Sequence, residues 1–169
     1  EWPIPISVLS GPARAGKTAL GRHFAAISGG TVIDEADAQA EDMLFHRWNE
    51  ARDSGVPLLL ITDRAPGEWQ VALPDLRSRL AAAPHVRIEE PDNALMRALI
   101  ETGLARAGSA FAADVPEWIA RRLERSYAAV AAALDVLNRA SIESARKISV
   151  ISAKEMLQNC HLLPIEEED

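Results

Sequence analysis

The stretch Gly11-Pro-Ala-Arg-Ala-Gly16-Lys17-Thr18 constrains this chain more than any other feature. It matches G-x-x-x-x-G-K-[ST] at every fixed position. An apolar, partly β-branched run over residues 4–9 precedes it, and a helical pattern from Lys17 to Ile27 follows. The motif therefore sits between a strand and a helix, the context in which it works. Its glycines let the loop fold over so that successive backbone N–H groups point inward at phosphate oxygens. The helix that starts near Lys17 aims its positive end at the same anion. On this pattern Gly11, Pro12, Ala13, Arg14, Ala15, Gly16, Lys17 and Thr18 cradle the phosphates of ATP or ADP. Lys17 adds charge for the β- and γ-phosphates, and Thr18 offers a hydroxyl to Mg²⁺. A Gly-rich turn with an incidental lysine would explain the composition but not the flanking strand and helix.

Val32-Ile-Asp34-Glu35 suits the partner role. Asp34, at the end of a short β-branched run, is placed to hold Mg²⁺ through water beside Thr18, and Glu35 to polarise an attacking water. An ordinary acidic loop after a strand is the alternative, and it serves Asp37 as well as any functional role does.

Strands are expected at 4–9, 31–33, 57–62 and 85–88, with helices at 17–27, 41–53 and 73–83 between them. Strands alternating with helices predict a parallel, doubly wound α/β sheet. Leu44, Trp48 and Ala51 mark the buried face of the second helix. Near Pro91 the strand signal ends. Residues 93–107, 115–125 and 127–143 read as helices, Ser126 as the cap of the last, and a further helix is expected after Ser152. The boundaries are thus an α/β base over 1–90, an all-helical lobe over 91–158 and an acidic tail over 159–169, whose end reads Ile-Glu-Glu-Glu-Asp.

Charge and cysteine content remove several classes. Eighteen Lys plus Arg against 25 Asp plus Glu give a net charge of −7, which argues against a protein that grips nucleic acid mainly through its phosphates. The single cysteine, Cys160, excludes an internal disulfide and a Cys-cluster metal site. No apolar run reaches the roughly 18 residues that span a membrane, and the first residues lack the pattern of a signal peptide. A cytoplasmic protein is the expectation.

Three further strings narrow the reading: Leu60-Ile-Thr62-Asp63-Arg64-Ala-Pro66, Leu73-Pro-Asp75-Leu-Arg77-Ser-Arg79-Leu80, and Ala140-Ser-Ile-Glu-Ser-Ala-Arg146-Lys-Ile-Ser. With the phosphate loop they resemble the AAA+ domain of the bacterial replication initiator DnaA, and more closely its shorter relatives Hda and HdaA, which regulate the initiator and lack its DNA-binding domain. The resemblance runs from Ile4 to about Leu157. It implies a P-loop NTPase (AAA+) parallel sheet with a C-terminal helical lid. Lys17 and Thr18 become the Walker A pair, Asp34 and Glu35 the Walker B pair, and Asp63 the sensor 1 residue that helps orient water and γ-phosphate. Arg79 becomes an arginine finger projecting from the base toward nucleotide held by a neighbouring subunit, which also implies self-association through Arg79; a surface arginine paired with Asp75 or another carboxylate is the alternative. DnaA is the implied partner.

The chain departs from that pattern. Lys17 and Asp34 are only 17 positions apart, where the family usually places another strand and a long connection. The Lys17–Ile27 helix can feed the next strand directly, so a shortened base is expected. The family's sensor 2 arginine falls on Ala128, with Arg125 about a turn away. The N-terminal region is too short to show the family's adenine-binding or clamp-binding segments.

Other side chains read more plainly. His23 and His46 lack metal-ligand partners. Trp48 and Trp118 are expected in cores, and Trp69 in a core or a contact surface. Arg121, Arg122 and Arg125 form either a solvated helix face or a partner site. Gln158-x-x-x-Leu162-Leu163-Pro164 has a faint likeness to sliding-clamp peptides, which makes the clamp a second candidate partner. The leading function is a DnaA-related, nucleotide-dependent regulator of replication initiation. Its rival is a degenerate AAA+ adaptor that binds nucleotide without significant turnover. A metabolic P-loop kinase fits the C-terminal helices and the Arg79 string less well.

Overall fold

A computed structural model describes residues 5–144 and 146–164. The expected strand start at Ile4 and the acidic end Ile165–Asp169 lie outside the described residues. The chain divides into two compact units between Glu89 and Glu90.

The first unit is built on four strands: β1 (Ile6–Ser10), β2 (Thr31–Ile33), β3 (Leu58–Thr62) and β4 (His85–Arg87). They lie in the order β2-β3-β1-β4, every neighbouring pair parallel, with Ile6 opposite Leu58, Thr31 opposite Leu58, and Val8 opposite His85. Helices α1 (Lys17–Ser28), α2 (Glu41–Ser54) and α3 (Pro74–Ala82) connect them. Alternation along the strands sorts the core into two layers. Ile6, Val8, Leu58 and Leu60 pack with Leu44, Trp48 and Ala51 of α2 and with Leu76 and Leu80 of α3. Leu9, Leu59 and Ile61 pack with Phe24 of α1. β3 is buried at all five positions, which explains its unbroken apolar sequence. β4 is an edge strand and is exposed throughout.

The short spacing between Lys17 and Asp34 is a direct connection: α1 ends at Gly29, whose φ is 67°, and the chain enters β2 two residues later. β2 is consequently an edge strand of this sheet.

The second unit is helical: α4 (Asn93–Arg106), α5 (Val115–Ala120), α6 (Tyr127–Ser144) and α7 (Val150–Asn159). Asp92 caps α4 by accepting from the Leu95 amide at 2.7 Å, and Ser126 accepts from the Ala129 amide at 3.1 Å at the start of α6. Met96, Ile100, Leu104, Ile119, Leu137 and Leu157 fill the core. Helix α5 stops at Ala120, five residues before the expected end. Helix α7 starts before Ser152 because Ser149 caps it: the Ser149 hydroxyl accepts from the Ser152 amide at 3.2 Å, and the Ser152 hydroxyl accepts from the Ser149 amide at 3.0 Å.

The end of this unit corrects one boundary. Leu163 is buried in the helical core, and the Gln158 amide donates to the Pro164 carbonyl at 2.9 Å. The chain is therefore folded beyond residue 159, and the string likened to a clamp peptide is used internally. Among the described residues no helix is long and apolar enough to cross a membrane.

Candidate functional site

The phosphate loop joins β1 to α1 through backbone that only part of the sequence tolerates. Gly16 has φ 83° and Arg14 has φ 65°, so left-handed residues alternate along the loop. Such alternation turns successive N–H groups to one side and forms an anion-binding concavity. A Cβ on Gly16 would meet nothing within 4 Å, so φ alone selects glycine there. At Gly11 close approach decides instead, because a Cβ would sit 2.8 Å from Cβ of Ile88.

Lys17 is buried, and its ammonium donates to the carbonyls of Gly11 at 2.9 Å and Pro12 at 2.8 Å. It also pairs with Asp63 Oδ1 at 2.8 Å. All three of its donors thus have protein acceptors. Asp63 follows β3 and is largely exposed, so it is the contact most easily exchanged for a phosphate oxygen.

One residue on, the Thr18 hydroxyl donates to Asp34 Oδ2 at 2.7 Å. The first turn of α1 and the end of β2 are thereby joined at the pair expected to share a magnesium ion. Hard divalent cations of this size take a few protein oxygens together with waters and phosphates. A threonine hydroxyl and a carboxylate side by side fit that donor set. Asp34 Oδ1 also accepts from the Glu35 amide at 3.0 Å. Glu35 itself has φ 50°, a strained conformation for a glutamate, and the Gln39 side-chain amide spans the carbonyls of Asp34 and Glu35 at 3.4 Å each.

Lys17, Thr18, Asp34, Glu35 and Asp63 line one cavity of about 530 Å³ with Ala13, Arg14 and Gly16. Its volume is within the range of ligand pockets. Arg22 lines it too, one helical turn after Thr18, and has no ion-pair partner among the described residues. The i,i+4 spacing from Thr18 was the available signal for Arg22. Gln39 offered none, because its role depends on the strained corner.

Arg79 is not brought to this cavity. The expectation that it projects from the base is corrected: it donates to Asn49 Oδ1 at 2.7 Å, pairs with Asp75 Oδ2 at 2.9 Å, and lies 4.6 Å from the centre of the Phe45 ring. Its side chain is only 22% exposed. In the helical unit Ala128 is exposed in the first turn of α6, and Arg125 is exposed in the turn before it. Trp69 packs against the core of the first unit, with its indole N–H donating to the Arg64 carbonyl at 3.3 Å.

Among solved structures, domain III of the replication initiation protein DnaA from Thermotoga maritima matches 96% of this chain and 86% of its own, with a TM-score of 0.80 at 15% identity. The fold is that of the AAA+ P-loop NTPases. The RuvB Holliday junction branch migration motor of Thermotoga maritima aligns over 91% of this chain and 61% of its own, with a TM-score of 0.68 at 13% identity. A structure of the replication initiator DnaA bound to AMPPCP and single-stranded DNA aligns over 99% of this chain and 68% of its own, with a TM-score of 0.64 at 15% identity. No protein-family model matches the chain.

Proposed function

We propose that this chain is a DnaA-related AAA+ protein of the Hda type, which binds ATP or ADP with Mg²⁺ and regulates replication initiation in the cytoplasm through nucleotide-dependent contact with DnaA. The observation that carries the nucleotide reading is the Thr18–Asp34 contact at 2.7 Å beside the buried Lys17, inside a DnaA-like fold. The loop N–H groups and Lys17 hold the phosphates, and Lys17 exchanges Asp63 for a phosphate oxygen. Thr18 and Asp34 hold the metal, which neutralises phosphate charge when bound. Glu35 orients and polarises the attacking water, and Gln39 steadies the backbone that presents it. A net charge of −7 favours a protein over DNA as the partner.

The adaptor reading rests on a specific observation as well. Arg79 is engaged within its own unit, and Ala128 stands where the family's sensor arginine is expected, so two cations that speed hydrolysis in such proteins are not supplied in the familiar way.

Calorimetric titration with ADP and with ATP, each with Mg²⁺, tests the site. Binding is expected in the parent and at least a tenfold loss in Lys17→Ala, measured at a temperature where both are folded because the variant also loses the contacts of Lys17 to Gly11, Pro12 and Asp63. Unchanged affinity in that variant refutes the phosphate-loop reading. Measuring ATP hydrolysis by DnaA with and without this protein separates regulator from adaptor, since stimulation is expected only of the regulator.

A further inference from the structure

We propose that the side chain of Arg14 is a ligand of the bound polyphosphate, a cation that the phosphate loop supplies to its own nucleotide. The inference rests on the nucleotide reading and adds a side-chain contact to the backbone cradle. Between β1 and α1 the chain runs Gly11-Pro-Ala-Arg14-Ala-Gly16, so Arg14 is the one long side chain that the loop carries. It is exposed and lines the cavity of about 530 Å³. Its guanidinium has no ion-pair or hydrogen-bond partner among the described residues.

Two observations set Arg14 apart from a solvated surface arginine. The first is its backbone. Arg14 has φ 65°, a left-handed conformation that glycine adopts freely and arginine adopts only at a steric cost. The chain therefore keeps a charged side chain at a position where glycine fits better, and residues held in this way concentrate where they act on a ligand. The second is charge. Arg14, Lys17 and Arg22 line the cavity together with Asp34, Glu35 and Asp63. Without the two arginines one lysine faces three carboxylates, and the cavity repels a polyphosphate; with them the lining is balanced before Mg²⁺ enters. The two arginines stand in different places. Arg22 is on α1, one turn beyond the Thr18 hydroxyl that meets Asp34. Arg14 is on the loop itself, among the N–H groups that face the phosphates. A planar guanidinium presents paired donors to two phosphate oxygens. Arg14 is thus suited to hold the anion from the solvent side while Lys17 holds it from the buried side. Arg79 is tied to Asn49 and Asp75, so the site draws this cation from its own loop rather than from α3.

The test titrates the full chain calorimetrically with ADP and with ATP, each with Mg²⁺. Arg14→Gln keeps a long side chain and removes its charge. Its affinity should fall about tenfold, the low end for a hydrogen bond to a charged group. Its affinity should also depend less steeply on salt between about 50 and 200 mM than the parent's. Arg14→Lys should bind better than Arg14→Gln. Arg14→Gly relieves the left-handed backbone, so without nucleotide it should melt no lower than the parent, and yet bind as weakly as Arg14→Gln. Affinity and stability then move apart, whereas an arginine that merely held the loop in shape would lower both together in Arg14→Gly, a result that overturns the proposal. It is also overturned if Arg14→Gln binds within twofold of the parent, or if salt weakens the two equally. Lys17→Ala separates the two failures. Binding lost there but kept in Arg14→Gln overturns this proposal alone, while a parent that binds neither nucleotide overturns the nucleotide reading with it.

Discussion

Replacing Arg79 with alanine distinguishes a structural residue from an arginine finger acting on another molecule. Three contacts are lost at once: the hydrogen bond to Asn49, the ion pair with Asp75, and the stack on Phe45. A hydrogen bond from a charged donor contributes about 1.5 kcal/mol in a part-buried site, the low end of its range. The Asp75 pair joins residues four apart on one helix, and its carboxylate is 62% exposed, so solvent screening holds it to roughly 0.3–0.5 kcal/mol. Stacking of the guanidinium on an aromatic ring adds about 0.5 kcal/mol. The sum is about 2 kcal/mol, which lowers the melting temperature by roughly 4–8 °C if the whole chain melts as one unit. Arg79→Met keeps the packing on Phe45 and removes the polar contacts, so its loss should be smaller than that of the alanine variant. Differential scanning calorimetry reads both, and the ATP hydrolysis of DnaA with each variant reads the trans role. Melting temperatures within 1 °C of the parent, together with lost stimulation of the initiator, would refute the structural assignment. Such a finger is worth about 10³–10⁵ in rate where it operates, so its loss could not be overlooked.

Other perturbations follow from single contacts. The Glu41 carboxylate accepts from the amides of Ala72 at 2.7 Å and Leu73 at 2.8 Å, and these bonds lower its pKa from the ordinary 4.5. A lowered folded-state value means that the stabilisation is present above pH 4.5 and is lost as pH falls through the folded value. Glu41→Gln should therefore melt lower at pH 7 and show a shallower loss of stability below pH 4.5, measured by thermal melts across that range. Glu35→Gln is expected to reduce any ATP hydrolysis by at least tenfold while ADP affinity stays within twofold, read by a coupled phosphate assay beside calorimetry. Leu163→Ala should cost about 2–3 kcal/mol by urea denaturation, because that side chain is buried in the helical core. A solvated tail would give no change.

The clustering of Lys17, Thr18, Asp34 and Asp63 was legible because the pattern that brings them together is largely local. A phosphate loop needs fixed residues between a strand and a helix, and an acidic pair after the next strand completes it. Periodicity likewise revealed two units, since the strand signal stops where the helical one begins. The Asp75 pair of Arg79 is local and was legible, but its contacts to Asn49 and Phe45 were not, because those surroundings are not local. Asn49 is thirty positions away in sequence, and nothing in the spacing around Arg79 says that α2 lies across it. The start of α7 was misread for another reason: Ser149 and Ser152 are both capping residues, and only the reciprocal bonds between them show which one stands outside the helix. Edge strand β4 was found from its β-branched centre, yet its exposure follows from strand order, which composition does not encode.

The direct passage from α1 into β2 has a consequence for how the site assembles. Thr18 and Asp34 meet across 16 residues of chain, whereas Lys17 and Asp63 lie 46 positions apart. Loop-closure entropy grows with the logarithm of the intervening length, so the Thr18–Asp34 contact costs about 1 kcal/mol less to close. The Thr18–Asp34 pair is thus contained in one contiguous β1-α1-β2 segment, while β3, which pairs with both β1 and β2, holds the two strands in register and delivers Asp63. A chain that keeps this crossover short couples its phosphate loop to its acidic corner through few intervening residues, and leaves β3, the strand between β1 and β2, to hold the two ends in place.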